Sequence, residues 1–190
     1  MDRKDIDKKL KEELGQKRYL HTVGVMYTAA SLAMRYRYDI DKAMLAGLLH
    51  DCAKKVDDAE KIRICKKNNI EISEAEMQTP SLLHAKVGAY LALKKYEVSD
   101  EEILHAIEVH TTGEPGMNLL DKIIFIADYI EPGRNMAPRL DEVREMAFVD
   151  LDKALYMILH DTLEYLKDKN AVLDPKTKIT FDYYRRDYDN

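Results

Sequence analysis

The sequence lacks the features that mark several classes of protein. Cysteine occurs only twice in 190 residues, as Cys52 and Cys65, and neither belongs to a CxxC pattern. A disulfide scaffold and a cysteine-based zinc knuckle are therefore not indicated. No apolar run reaches the roughly 18 residues of a membrane span, and the charged N-terminal stretch lacks the apolar segment of a signal peptide. We therefore expect a cytoplasmic protein with no membrane partner.

An excess of positive charge is also missing. The formal net charge is −5 at pH 7, from 30 Lys and Arg residues against 35 Asp and Glu residues. Because phosphate backbones need a basic face, this balance argues against a nucleic-acid polymer as partner. It does not exclude a small anionic ligand, which bound metal ions can hold locally.

The sequence also lacks a convincing alternating strand pattern, and the apolar residues of nearly every segment have helical spacing instead. We predict an all-α bundle in one domain. Its core runs from about residue 16 to 168, and a polar aromatic tail follows over 174–190. Ser73–Glu76 and Ser99–Glu102 have capping-box spacing. The predicted helices cover 3–14, 17–36, a stretch from Asp39 or Asp41 to His50, 57–69, a very short one after Ser73, 80–96, 99–113, 118–130, 139–147 and 150–168.

Two of these helices carry carboxylates among apolar residues. Residues 43–51 form an apolar run that ends in His50 and Asp51, and Asp128 lies inside another apolar helix. Burying such groups is unfavourable unless something satisfies their polar atoms. Metal ions would do so, because imidazole and carboxylate are natural ligands of zinc, manganese and iron. For Asp128 alone, a buried arginine partner or a helix cap is the more ordinary explanation.

More histidines complete a possible ligand set. The residues that are awkward in a plain helical core are His21, His50, Asp51, His84, His110 and Asp128. Each histidine has an ordinary alternative, as a core imidazole bonded to a carbonyl, a residue of a first helical turn, or a charge at a helix C-terminus. Four histidines and two aspartates together can hold two metals with one carboxylate bridging. We interpret His105 and His160 as structural or surface residues, because neither has a carboxylate of an apolar helix nearby.

The order of these residues resembles the HD-domain metal-dependent phosphohydrolases, in the subset with two extra histidines and a dinuclear site. The chain is most similar to the YqeK family, symmetrical diadenosine tetraphosphate hydrolases of bacteria. HTTG and ADYIEPGR are the more specific of the stretches that carry the resemblance. These stretches are residues 18–25 (RYLHTVGV), 47–54 (GLLHDCAK), 82–89 (LLHAKVGA), 110–113 (HTTG) and 127–134 (ADYIEPGR).

The resemblance implies that the all-α fold is an HD-domain helical bundle. It also implies an enzyme that cleaves diadenosine tetraphosphate into two ADP, with water activated at a dinuclear site. The cofactors would be two divalent metal ions, with iron first and manganese, zinc, nickel or cobalt also compatible with the ligands. The resemblance assigns His21, His50, Asp51 and Asp128 to one metal. It assigns His84, His110 and the bridging Asp51 to the other.

A tetraphosphate needs positive groups beyond the metals. Lys54 and Arg134 are the first candidates, as a point charge and a bidentate fork respectively, and we count both with Asp51 as catalytic. The alternative for each is a solvated surface charge. Weaker candidates for binding substrate are Lys86, Thr111, Thr112 and Glu114, with Arg139 outside the main set. The aromatic tail 181–188 either stacks on an adenine or is a docked or frayed terminus.

Other functions stay open at this point. A related HD phosphohydrolase, such as a nucleoside monophosphate 5′-nucleotidase or a cyclic-nucleotide phosphodiesterase, would use the same metals. A metal-stabilised nucleotide-binding or regulatory module without turnover is a second alternative, and a helical core with scattered histidines is a third. The expected partner is a dinucleoside polyphosphate or another nucleotide, and a homodimer is plausible from base rates.

Overall fold

The computed structural model describes residues 1–186 and 188, and every regular element in this part of the chain is helical. The all-α prediction is confirmed. None of the described helices is both long and apolar enough to cross a bilayer. The α-helices are α1 (Arg3–Glu13), α2 (Gln16–Tyr36), α3 (Ile40–Leu49), α4 (Asp58–Lys67), α5 (Glu74–Gln78), α6 (His84–Lys94), α7 (Glu101–Val109), α8 (Leu119–Ile130), α9 (Leu140–Ala147), α10 (Leu151–Asp168) and α11 (Pro175–Arg185), with a 3-10 turn (Pro80–Leu83) before α6.

Short polar residues start several of these helices. Ser73 and Glu76 form the predicted capping box at the start of α5. The prediction of a second box beginning at Ser99 is wrong. Asp100 is the N-cap of α7, and its side chain accepts hydrogen bonds from the amides two and three residues further on. Serine and aspartate are both good caps, so adjacent candidates leave the start uncertain by one residue.

The core that positions the site is built by α2, α3, α7 and α8. Helix α2 packs along α3 and α8, and α7 packs against α3 and α8. Gly47 allows the close approach of α2 and α3, because a Cβ at this position would lie 2.9 Å from the Cα of Met26. Fully buried aliphatic side chains fill the space between the helices, and they include Leu48, Leu49, Ile107, Leu120, Ile123 and Ile124.

The C-terminal tail forms a docked helix as far as residue 185. Asp174 caps α11 and Pro175 is its first residue, an ordinary start for a helix. Phe181 stacks on Tyr156 of α10, with ring centroids 5.7 Å apart, and both Phe181 and Tyr184 are buried. These two rings pack into the fold and are not available to stack on an adenine. Asp187, part of the same predicted stretch, lies outside the described residues.

Candidate metal centre

The six predicted ligands meet in one cluster. His21 comes from α2, His50 and Asp51 follow α3, and the other three residues are the first residue of α6 (His84), the C-cap of α7 (His110) and a residue near the C-terminal end of α8 (Asp128). Their nitrogen and oxygen atoms fall into three groups, within each of which the atoms lie no more than 4.8 Å apart. These groups are His21–His50–Asp51, His50–His110–Asp128 and Asp51–His84–His110.

Three of the histidines share one local arrangement. His50, His84 and His110 each stand at the C-terminal end of a helix or 3-10 turn, where backbone carbonyls lack partners within the helix. Each Nδ1–H donates to the carbonyl three residues earlier, at 2.7 Å for His50, 2.6 Å for His84 and 2.7 Å for His110. Because a carbonyl only accepts, each Nε2 is left with its lone pair facing the cluster. His84 follows the 3-10 turn and is the first residue of α6, so the helix predicted from Pro80 begins as a 3-10 turn, and the prediction that His84 lies in a first helical turn is confirmed for α6.

His21 is oriented by a carboxylate instead of a carbonyl. Its Nδ1 donates to Glu131 Oε1 at 3.0 Å, and Glu131 Oε2 accepts the amide of Gly133. Glu131 is 3% exposed, and the carboxylate fills the space beside Gly24, where a Cβ would lie 2.5 Å from Oε2. Such outer carboxylates fix the tautomer of a ligating histidine. Glu131 therefore sets the Nε2 lone pair of His21 toward Asp51 and Asp128.

Asp51 lies between two pairs of histidines. Its Oδ2 is 3.8 Å from His21 Nε2 and 3.6 Å from His50 Nε2. Its other oxygen, Oδ1, is 3.3 Å from His84 Nε2 and 3.7 Å from His110 Nε2. One carboxylate thus directs one oxygen to each pair, which is the geometry required of a bridging ligand.

Three buried polar atoms of this cluster lack partners of their own. Among the described residues, His21 Nε2, His50 Nε2 and Asp51 Oδ1 are buried and have no hydrogen-bond partner. Leaving such atoms unsatisfied is strongly unfavourable. The Nε2 lone pairs of His84 and His110 also face each other at 3.2 Å. Divalent cations would satisfy these nitrogen and oxygen atoms together, so the residues present fit a metal centre.

The protonation states of His50, His84 and Asp51 also suit metal binding. Burial lowers the pKa of His50 to about 4. Burial and the neighbouring His110 lower the pKa of His84 to about 3. Burial alone would raise the pKa of Asp51, but His50, His110 and Lys54 bring it well below its usual value. These two rings are therefore neutral and the carboxyl is ionised at neutral pH, as metal ligands must be.

Three cationic side chains touch the cluster. Lys54 Nζ lies 3.0 Å from His84 Nε2 and 3.7 Å from Asp51 Oδ1. Arg134 donates from Nη2 to Asp128 Oδ1 at 2.6 Å and from Nε to the Asp128 carbonyl at 2.9 Å. Arg18 donates to Asp51 Oδ2 at 2.6 Å. Lys54 and Arg134 were candidates from the sequence, and Arg18 is an addition from the structure.

These cations line a large cavity beside the metal centre. We call it the first cavity; its volume is about 1170 Å³. His21 and Glu131 form part of its wall, and the rest is rich in positive charge. The cationic residues that line it are Lys17, Arg18, Lys54, Lys55 and Arg134.

The weaker sequence candidates lie in other places. Thr111 Oγ1 is 3.3 Å from both His84 Nε2 and His110 Nε2, so it belongs to the edge of the cluster. Thr112 and Lys86 line a different, smaller cavity, and Arg139 pairs with Asp161. Glu114 contacts His105 Nε2 at 2.9 Å and Lys176 at 3.2 Å instead of the six candidate ligands.

One expectation about the other histidines is wrong. His105 does have a carboxylate of an apolar helix nearby, since its Nδ1 is 3.0 Å from Oδ1 of Asp121 on α8. His160 lies 3.2 Å from the carboxylate of Asp161 on α10. We call His105, Glu114 and Asp121 the His105 cluster, because their ligand-type atoms also lie within 4.8 Å of one another.

Sequence reasoning missed two residues that contact the centre. Arg18 stands in the polar first turn of α2, where a solvated arginine is the ordinary expectation. Glu131 precedes Pro132 and Gly133, so it was interpreted only as the end of a helix. Both residues belong to the stretches that carry the family resemblance, and that was the only signal for them.

Comparison with known proteins agrees with this geometry. The model of the HD domain family matches residues 18–133. The chain is 42% identical over 183 residues to a symmetrical bis(5′-nucleosyl)-tetraphosphatase of Bacillus subtilis, covering 96% of this chain and 97% of the relative. It is 39% identical over 176 residues to the enzyme of the same name from Staphylococcus aureus, covering 92% and 90% of the two chains.

A solved structure is equally similar. The crystal structure of an HD superfamily hydrolase from Clostridium acetobutylicum, described as involved in NAD metabolism, superimposes with a TM-score of 0.95. Its sequence is 43% identical, and the match covers 98% of each chain. The family match, the relatives over nearly the full length and the buried histidine–aspartate cluster lead to one conclusion. The chain belongs to the HD domain family and is a metal-dependent hydrolase.

Proposed function

We propose that the protein hydrolyses diadenosine tetraphosphate symmetrically into two ADP at a dinuclear metal centre. The observation that carries the proposal is the position of Asp51, with one oxygen toward each of two histidine pairs. The basic first cavity beside it suits a polyphosphate chain. The names of the relatives supply the substrate class, because they are symmetrical bis(5′-nucleosyl)-tetraphosphatases.

The ligand assignment follows the contacts of Asp51. One metal would be held by His21, His50, Asp51 and Asp128, and the other by His84, His110 and Asp51. The four histidines and two aspartates are hard or borderline ligands that accept iron, manganese, zinc, nickel or cobalt. We propose iron as the first metal to test. When bound, such ions activate water and offset charge on phosphoryl oxygens.

The protein's own residues would orient the substrate. Arg134 and Lys54 are placed beside Asp128 and Asp51, at the border between the metal centre and the first cavity. An arginine fork can hold two phosphate oxygens, whereas a lysine supplies a point charge. Arg18 reaches the same border from α2. Together these groups would fix the central phosphates against the centre, which is the positioning that phosphoryl transfer requires.

The test is turnover of diadenosine tetraphosphate by anaerobically purified protein, with the nucleotide products separated by chromatography. ADP as the sole nucleotide product supports symmetrical hydrolysis. AMP plus ATP would contradict it and place the attack away from the centre of the chain. A preference for a nucleoside monophosphate or a cyclic nucleotide would favour the alternative HD phosphohydrolases. Nucleotide binding without any turnover would favour a regulatory module.

Three further expectations from the sequence stay predictions. They are a cytoplasmic location, a homodimer, and a single domain with its core over about 16–168. Light scattering and limited proteolysis would test the last two directly.

A further inference from the structure

A second, smaller cavity lies beside the His84–His110 pair of the metal centre. Its volume is about 360 Å³. Thr111 lines it, and the Thr111 hydroxyl is 3.3 Å from Nε2 of both His84 and His110. Thr111 therefore connects the second cavity to this pair of candidate ligands. The first cavity reaches the centre at His21, which is part of its wall.

The charges of the two cavities differ. Both lysines of the second cavity are already paired. Lys86 donates to Glu76 at 2.9 Å and to the Glu71 carbonyl at 2.8 Å, and Lys176 lies 3.2 Å from Glu114. The carboxylates that line it are Glu71, Glu76, Glu108 and Asp174. This surplus of negative charge disfavours a phosphate group, so the position of Lys86 argues against its candidate role as a phosphate ligand.

The walls of the second cavity instead suit an uncharged group that has hydroxyls and a flat apolar face. Carboxylates accept hydrogen bonds from ribose hydroxyls in many nucleotide sites. Ile70, Leu82 and Ala85 supply apolar wall on which a base can pack. The volume is near the lower end of the roughly 300–1,000 Å³ of small-molecule sites, which fits one nucleoside but not two.

We propose that the second cavity binds one nucleoside of the dinucleotide substrate, while the first cavity holds the phosphates and the other nucleoside. Glu108 accepts a hydrogen bond from the ribose, and Leu82 packs against the base. This inference rests on the proposed function, because only a substrate with two nucleosides needs a second nucleoside site. It explains how the enzyme places the middle of the chain, and not an end, at the metals.

The experiment compares diadenosine tetraphosphate with adenosine 5′-tetraphosphate, which has the same phosphate chain and only one nucleoside. The variants are Glu108→Ala and Leu82→Ala, with Glu101→Ala as the matched control. Glu101 is an exposed glutamate at the other end of α7. Loss of one hydrogen bond or one apolar contact is expected to raise KM for the dinucleotide about 10-fold. The ratio of the two KM values should rise by the same factor in these variants and stay unchanged in Glu101→Ala.

A binding measurement separates this effect from a change in catalysis. Calorimetric titration with the dinucleotide analogue that carries a methylene group between the two central phosphates should give a Kd about 10-fold weaker in both variants. Unchanged KM ratios and Kd values in variants that melt at the wild-type temperature would overturn the inference and leave the proposed function intact. Failure of the wild-type protein to release ADP from the dinucleotide would overturn both.

Discussion

Two groups of histidine and carboxylate side chains lie in the same helical bundle, and they differ in how their polar atoms are satisfied. In the His105 cluster, both ring nitrogens have a carboxylate partner, at 3.0 Å from Asp121 and 2.9 Å from Glu114. Lys176 neutralises Glu114, and the His105 side chain is 39% exposed. In the metal centre, by contrast, the His50 side chain is fully buried and its Nε2 has no hydrogen-bond partner among the described residues.

The difference shows which feature distinguishes a metal site from an ion-pair network. Both groups bring at least three ligand-type atoms within 4.8 Å, so proximity alone does not separate them. In the metal centre, carbonyls and Glu131 occupy every Nδ1, and the Nε2 lone pairs are left facing a shared carboxylate. The His105 cluster leaves no such lone pair, and its charges already balance. We therefore expect metal only at the first of the two.

The largest expected effect comes from Asp51→Asn. The amide keeps the size of the side chain but removes the anionic bridge between the two histidine pairs. We expect turnover to fall by clearly more than the roughly 100-fold that changes in residues around the ligands produce. Steady-state hydrolysis of diadenosine tetraphosphate measures it. Glu114→Gln, which removes one carboxylate from the His105 cluster, is the matched control and should keep near-wild-type turnover; equal losses in both variants would contradict the comparison.

A smaller loss is expected from Glu131→Gln. Glutamine can still contact His21, but it lacks the negative charge that stabilises the Nδ1–H tautomer. Metal affinity should fall by about 10- to 100-fold, as is usual for a partner of a ligating histidine. Competition with a chelator of known affinity measures this change. An unchanged affinity would mean that Glu131 serves only to hold the turn at Gly133.

Gly24→Ala tests the contact between Glu131 and His21 without replacing either residue. The added Cβ would lie 2.5 Å from Glu131 Oε2, so the carboxylate has to shift away from its bond with His21. We expect a loss of metal affinity near the lower end of about 10- to 100-fold. The double variant Gly24→Ala with Glu131→Gln should lose less metal-binding free energy than the two single variants lose in sum, because both substitutions act on one contact. Full additivity would contradict a shared mechanism.

The smallest effect is expected from His105→Gln, and it depends on pH. Burial lowers the pKa of His105, but Asp121, Glu114 and Glu108 outweigh burial and raise it above its usual value. A raised pKa stabilises the folded state at pH values below the unfolded pKa, and this contribution is lost as pH rises through the folded pKa. The variant should therefore lose more stability at about pH 6 than at about pH 9. Urea unfolding at both pH values measures this, and metal content should not change.

The sequence was informative where burial makes a polar residue unfavourable. His50, Asp51 and Asp128 stand among apolar residues, so their need for a partner can be inferred without a structure. Asp121 is fully buried on α8, but no local pattern indicates its contact with His105, which lies on α7, 16 residues earlier. Pairings of this kind depend on tertiary packing.

The roles of Arg18 and Glu131 could not be predicted from the sequence either, because they also depend on tertiary packing. Arg18 lies in a polar helical turn and Glu131 in a Pro-Gly turn, and in both places a charged residue is ordinary. Their roles follow from the packing of α2 against α3 and α8, which brings them to Asp51 and His21. Local signals also left the start of α7 one residue in error, because Ser99 and Asp100 are both good caps.

Metal content per chain tests the central claim most directly. Protein purified anaerobically without chelator would be analysed by plasma mass spectrometry as wild type, as Asp51→Asn and as Glu114→Gln. We expect about two divalent metal ions per chain in the wild type and in Glu114→Gln, and fewer in Asp51→Asn, because Asp51 is the proposed bridging ligand. Two ions retained in Asp51→Asn, or an ion lost in Glu114→Gln, would contradict this expectation.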